Sequence, residues 1–278
     1  MVRGVLHGPH AAHTRATTHG GCTFSSHLLT RTVASSIGSI PHALFSLFFP
    51  ADCRICNTSL TGWTRIPVCD DCLKAPEPLD AEFFCSACRT PFRNALPLDD
   101  HGVCRACRAG LRGFDRAATY GFYEGKLRSL IHLLKYAGIQ PLAAPLAGLM
   151  HRALPVDQTF DAIVPVPLHW RKSLDRGFNQ AELLARELAR KRNIPMAKAL
   201  RRKRSGAVQA SLSLAERRRN VAGVFEVRAK QDVRDKRILL IDDVMTTGAT
   251  ASACASVLKR AGAKSVSLLT VARVDRRH

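Results

Sequence analysis

Ile238-Leu239-Leu240-Ile241-Asp242-Asp243-Val244-Met245-Thr246-Thr247-Gly248-Ala249-Thr250 is the stretch that decides the fold. Four aliphatic residues in a row read as a strand buried on both faces, as in a parallel sheet, with two carboxylates where that strand ends. Thr246 to Thr250 form a short polar turn, and Ala251 to Ala261 resume a helical pattern with Val257 and Leu258 on the apolar side. Residues Met245, Thr246, Thr247, Gly248, Ala249 and Thr250 therefore sit at a helix N-terminus. Free backbone N–H groups, the positive dipole end and three threonine hydroxyls make a cradle there for one phosphate. Paired acids beside such a cradle suit a sugar phosphate, because carboxylates accept hydrogen bonds from vicinal hydroxyls. The bland alternative is a strand with an Asp cap and a solvated turn.

This run resembles the phosphoribosyl-pyrophosphate (PRPP) signature of type I phosphoribosyltransferases, and its surroundings resemble the ComF family of competence proteins. The resemblance implies an α/β fold: a type I phosphoribosyltransferase-like parallel sheet with helices on both faces, preceded by a small double zinc ribbon. The ligand then lies at the carboxyl ends of the strands. Asp242 and Asp243 become the catalytic acids, and Mg2+ accompanies PRPP.

At 278 residues the chain has room for one α/β domain and a smaller module. Its 42 Lys+Arg against 22 Asp+Glu give a formal charge of +20, which favours polyanionic partners such as nucleic acid or phosphorylated ligands. Residues 1–51 hold three Arg and no acids; residues 52–112 hold eight basic and eight acidic; residues 113–278 hold 31 and 14, a net +17. The excess thus belongs to the second domain. No apolar run is long enough to span a bilayer, the longest being Ala43 to Phe49. Residues 1–42 are rich in His, Thr, Ser and Gly, lack acids and are expected to be a disordered extension. They lack the charged start, apolar core and cleavage site of a secretory signal, and three Arg support a transit peptide only thinly. The family resemblance starts near Ala43, which leaves open whether residues 1–42 are a native extension or an over-extended start. The expected location is the cytoplasm.

Eight of the ten cysteines form four C-x-x-C pairs: Cys53/Cys56, Cys69/Cys72, Cys85/Cys88 and Cys104/Cys107. Two such knuckles close one tetrahedral zinc site, so four pairs make two structural Zn2+ sites. Sequential pairing is expected, with an interleaved brace as the alternative. Disulfides do not suit a reducing cytosol, and iron–sulfur clusters group three cysteines more closely. Residues 43–112 resemble the double zinc ribbon found ahead of the catalytic-like domain in part of the ComF family.

From residue 113 the texture changes. Tyr120 to Tyr136 begins as a strand and becomes a helix with Leu127, Leu130, Ile131 and Leu134 on one face, stopped by Gly138. Lys135 can reach a phosphate, although a surface lysine with its stem on apolar surface is the commoner role. Asp161 to Pro167 reads as a buried strand, followed by a basic loop and a helix over Ala181–Arg190 bearing Leu184, Ala185 and Leu188. The family resemblance makes that loop the pyrophosphate site, with Arg171, Lys172 and Arg176 as its cations. Arg201, Arg202, Lys203 and Arg204 open the most basic segment, which continues through Gln209, Leu212, Arg217 and Asn220. It resembles the family's flexible segment, which closes over ligand or handles DNA. Ser265 to Val271 supplies the strand after the cradle helix, on which Cys254 reads as packed core.

Two functional classes follow. One is a phosphoribosyltransferase with unknown acceptor, acting in DNA uptake and natural transformation. The other is a non-catalytic protein that senses PRPP and handles single-stranded DNA, with the DNA-uptake machinery as a further partner.

Overall fold

The aliphatic residues from Ile238 to Ile241 have no exposed surface, because they run through the interior of a four-stranded, wholly parallel sheet. Burying each such side chain contributes about 1.5–3 kcal/mol, and that gain fixes the strand. The structure is a computed structural model and describes residues 51–60, 64–110, 113–168, 176–203, 223–228 and 232–274. The extension expected to be disordered, residues 1–42, lies outside the described residues.

Two small cysteine modules come first. In one, β1 (Ala51–Asp52) pairs with β2 (Ser59–Leu60), followed by α1 (Asp70–Lys74). In the other, β3 (Phe83–Phe84) pairs with β4 (Pro91–Phe92), followed by α2 (Arg105–Arg108). The α/β portion then runs β5 (Arg116–Phe122), α3 (Gly125–Tyr136), a 3-10 turn (Gln140–Leu142), α4 (Ala143–Ala153), β6 (Ala162–Pro165) and α5 (Gln180–Arg192). A hairpin of β7 (Leu200–Arg202) and β8 (Phe225–Val227) precedes β9 (Arg237–Met245), α6 (Ala249–Arg260) and β10 (Ser265–Arg273).

The sheet order is β5-β10-β9-β6, every neighbour parallel. The strand and helix expectations at Tyr120–Tyr136, Asp161–Pro167 and Ala181–Arg190 match β5 with α3, β6 and α5. Leu127, Leu130, Ile131 and Leu134 are all buried, as are Leu184, Ala185 and Leu188. Pro165 is tolerated in β6 because that strand is the sheet edge. Helices α3, α4 and α5 cover one face, against Ile163, Leu239, Ile241 and Leu269. Helix α6 and the β7–β8 hairpin cover the other, against Val164, Ile238, Leu240 and Leu268.

One boundary differs from the sequence reading. The strand does not end at the acids but continues to Met245, because Thr270, Ala272 and Arg273 of β10 go on pairing with Asp242, Val244 and Met245. Helix α6 correspondingly starts at Ala249 rather than Ala251. At the opposite end, Asp161 locks the start of β6 to β9: it accepts from the Arg237 amide at 2.7 Å and from Nε at 2.9 Å. This pairing holds the Asp161 carboxyl well below the usual carboxylate range.

The cysteine modules bury their sulfurs against opposite faces. Cys53 and Cys72 join the core under α3, while Cys85, Cys88 and Cys104 join the core on the α6 side. Gly113, in the connection to β5, lies so close to α6 that a Cβ would come within 2.2 Å of the Ser252 carbonyl oxygen; only glycine fits. Among the described residues no helix is long and apolar enough to cross a membrane.

Candidate functional site

The carboxyl end of β9 places the two acids in different surroundings. Asp243 meets α3, where Lys135 Nζ lies 3.0 Å from its Oδ2, with the two side chains only 13% and 14% exposed. The expectation of a surface lysine at 135 is therefore corrected: α3 packs its last turn against the strand end and carries the ammonium inward to the acid. Asp242 is half-buried and approaches Cys254 of α6. Desolvation first, and the Asp243 charge second, push its carboxyl up to about 7, against a smaller opposing pull from Lys135. The neighbouring Asp243 amide donates to Asp242 Oδ1 at 2.9 Å.

The cradle follows directly. Gly248 takes φ 75°, a left-handed conformation that turns the chain from β9 into α6. The Ala249 amide donates to Thr247 Oγ1 at 3.1 Å, and the first turn of α6 contains no acid. Residues 244–251 with Asp242, Leu268 and Thr270 enclose a cavity of about 40 Å³. An acid-free helix start behind threonine hydroxyls is a donor set that fits an anion.

Of the basic loop, Arg171 and Lys172 lie outside the described residues. Arg176 lies within them, its guanidinium 4.9 Å from the ring centre of Tyr136, the residue after Lys135. His132 lies 5.0 Å from the same ring. Arg176 is thus brought to the same helix end as the Lys135–Asp243 pair. Asn179 caps α5, accepting from Ala181 N at 3.1 Å and donating to the Val166 carbonyl at 3.0 Å, which ties this loop to the end of β6.

The basic segment is placed only at its base. Arg201 and Lys203 approach Glu226 across the β7–β8 hairpin at 2.7 and 3.6 Å, and Arg202 lies half-buried over Phe225. Arg204, Gln209, Leu212, Arg217 and Asn220 fall outside the described residues. Glu226 offsets part of the charge that the sequence run presents as free.

Both cysteine tetrads assemble from sequential pairs: Cys53, Cys56, Cys69 and Cys72 in one, Cys85, Cys88, Cys104 and Cys107 in the other. None of the eight is in a disulfide. Sulfur separations are 3.6 Å for Cys56–Cys69 and 3.8 Å for both Cys85–Cys107 and Cys88–Cys104. A tetrahedron with Zn–S bonds of about 2.3 Å has edges of about 3.8 Å, so the donor set fits. The two modules repeat one local design. Cys53 and Cys85 each accept a turn hydrogen bond, from Asn57 N and Arg89 N at 2.9 Å, and both donors sit in the left-handed region. Amide donors also point at sulfur, with Cys69 N and Cys104 N at 3.3 Å from Cys53 and Cys85. Hydrogen bonding to Thr58 lowers the Cys56 thiol to about 6, while burial pushes Cys72 and Cys107 up to about 12. A divalent cation would hold all four sulfurs of each tetrad as thiolates.

Sequence reading stopped the last strand at Val271 and so missed Arg273, 2% exposed at the end of β10. It donates to the Cys88 carbonyl at 3.1 Å and to Thr90 Oγ1 at 3.0 Å. The second tetrad is thereby joined to the sheet end that carries the cradle, beside Met245 in register.

Comparison with known proteins adds one family match and three relatives. A family profile described as phosphoribosyl transferase domain matches residues 173–278. The DNA utilization protein YhgH of Escherichia coli is 34% identical over 167 residues, covering 58% of this chain and 73% of that protein. Competence protein F of Haemophilus influenzae is 30% identical over 168 residues with the same coverage, and competence protein ComFC of Bacillus subtilis is 35% identical over 112 residues, 40% of this chain and 44% of that protein.

Proposed function

The chain belongs to the ComF family of competence proteins, and from that premise we propose that residues 113–278 bind PRPP with Mg2+, and that residues 43–112 are an appendage stabilised by two zinc ions. The observation that carries this reading is the junction at the end of β9: an acid pair, one member held by Lys135, running straight into an acid-free helix start. Asp242 and Asp243 accept hydrogen bonds from the ribose hydroxyls. The amides and hydroxyls of residues 246–250 hold the sugar's phosphate. Arg176, with Arg171 and Lys172, offsets the pyrophosphate charge, and the segment around Arg201–Arg204 and Gln209 closes over the ligand. Mg2+ would enter with PRPP beside Asp242 and Asp243 and would supply positive charge that reduces the repulsion between the pyrophosphate and the two acids. The protein contributes charge and position rather than a covalent nucleophile.

The relatives' names, a DNA utilization protein and two competence proteins, support a part in DNA uptake and natural transformation. The net +17 of residues 113–278 favours single-stranded DNA as the polyanion handled. Incubating zinc-loaded protein with PRPP, Mg2+ and a panel of bases separates the two classes. Pyrophosphate release with one base identifies a phosphoribosyltransferase; PRPP binding without release identifies a sensor. Protein that neither binds nor consumes PRPP refutes both.

A further inference from the structure

On the β5 edge of the sheet, toward the amino end of the strand, the second cysteine module and the end of α4 enclose a cleft of about 720 Å³. That volume lies within the range of small-molecule sites and far exceeds the cavity beside Asp242. Three arginines from separate parts of the chain line it: Arg89 in the turn after Cys88, Arg116 at the start of β5 and Arg152 near the end of α4. Among the described residues no Asp or Glu lines it. Arg89 and Arg152 rest on aromatic groups: Arg89 lies 3.4 Å over the Phe84 ring, and Arg152 donates to the Tyr120 hydroxyl at 3.1 Å. Tyr120 in turn donates to the Pro76 carbonyl at 2.7 Å, so the cleft wall is pinned to the connection between the cysteine modules. Ser86 and Gln158 add neutral hydrogen-bonding groups beside an apolar wall that includes Leu154. A bare phosphate would leave that wall unmatched, whereas a nucleotide presents an anion and an apolar ring together.

We propose that this cleft is a second anion site, separate from the acid pair, that takes a phosphate ester of nucleotide size. The ester is either a free nucleotide or one residue of a single strand, and the two sources share the same chemistry: arginine forks on phosphate oxygens and a base on the apolar wall.

The test uses the full, zinc-loaded chain and two probes, deoxyadenosine monophosphate and a short oligothymidylate, beside a Mg–PRPP titration of each sample. The key variant is Arg89→Asn with Arg116→Ala; asparagine tolerates the left-handed backbone at position 89. Losing two charge-assisted contacts should weaken probe binding about a hundredfold. It should flatten the salt dependence for the oligonucleotide by about 1.4 in log–log slope. PRPP affinity should stay unchanged. Equal affinity for both probes assigns the free nucleotide; binding of the oligonucleotide alone assigns the strand. Arg116→Ala by itself, at an exposed side chain, carries the same test if the double variant melts early. The proposal is overturned if wild-type protein binds neither probe, if the variants bind both as tightly as wild type, or if PRPP displaces the nucleotide. Loss of PRPP binding with nucleotide binding intact would refute the phosphoribosyl reading and leave this one standing.

Discussion

Replacing Asp242 by asparagine should make the protein more stable at pH 8 and less able to hold PRPP. In the unfolded chain an aspartate titrates near 3.9, whereas the folded surroundings push Asp242 up to about 7. Between those values the folded state holds a proton that the unfolded state has released. Stability therefore falls as pH rises from about 4 to about 7 and stays flat above. The full interval corresponds to about 4 kcal/mol. Asp242 keeps part of its surface open to solvent, which reduces the working figure to about 2 kcal/mol. Asparagine fills the same volume without the charge, so its melting temperature at pH 8 should exceed wild type by about 4–8 °C. The gap should close as pH approaches 4. Thermal melts of both proteins across that range, with zinc kept bound, provide the measurement. A variant that melts at or below wild type at pH 8, or whose advantage does not depend on pH, refutes the desolvation account and leaves Asp242 as an ordinary structural acid.

The other acid should behave in the opposite sense. Lys135→Met strands two carboxylates and should cost about 3 kcal/mol, and combining it with Asp243→Asn should cost less than the sum, as a double-mutant cycle of melts would show. Asp161→Asn should remove stability that is present above about pH 4 and lost as pH falls through the lowered titration of Asp161, so variant and wild type should converge in strong acid. Elemental analysis should find about two zinc per chain, and Cys53→Ser should lose one while the Cys85, Cys88, Cys104 and Cys107 site stays filled. Replacing Arg201, Arg202, Lys203 and Arg204 by Ser should flatten the salt dependence of single-strand binding, and Glu226 limits what Arg201 and Lys203 contribute to it.

Much of this architecture is written in local patterns. Ile238–Ile241 reads as a strand covered on both sides, the spacing of Leu127, Leu130, Ile131 and Leu134 reads as one helix face, and all eight side chains are buried. The C-x-x-C spacing likewise sets two four-sulfur sites, because each knuckle is closed by a short local turn. What stayed illegible depends on residues far apart in sequence. Lys135 reaches Asp243 only because α3 packs its last turn on the end of β9, which no periodicity records. The strand runs on through both acids because β10 keeps pairing with it, a long-range preference stronger than the turn signal of the threonines. Arg202 looks like one more exposed cation in a basic run, yet it lies over Phe225 at the foot of a hairpin. Arg89, Arg116 and Arg152 meet in one cleft only through the packing of a cysteine module on the sheet edge.

Calorimetric titration of Mg–PRPP into zinc-loaded protein tests the central claim most directly. Wild type should bind at one site per chain, with Asp243→Asn weaker by about ten- to a hundredfold and Thr247→Val weakened less, since the backbone amides survive that change. Wild-type protein that binds no PRPP, or Asp243→Asn binding as tightly as wild type, would contradict the assignment of the β9 acids and the α6 cradle to a phosphoribosyl ligand.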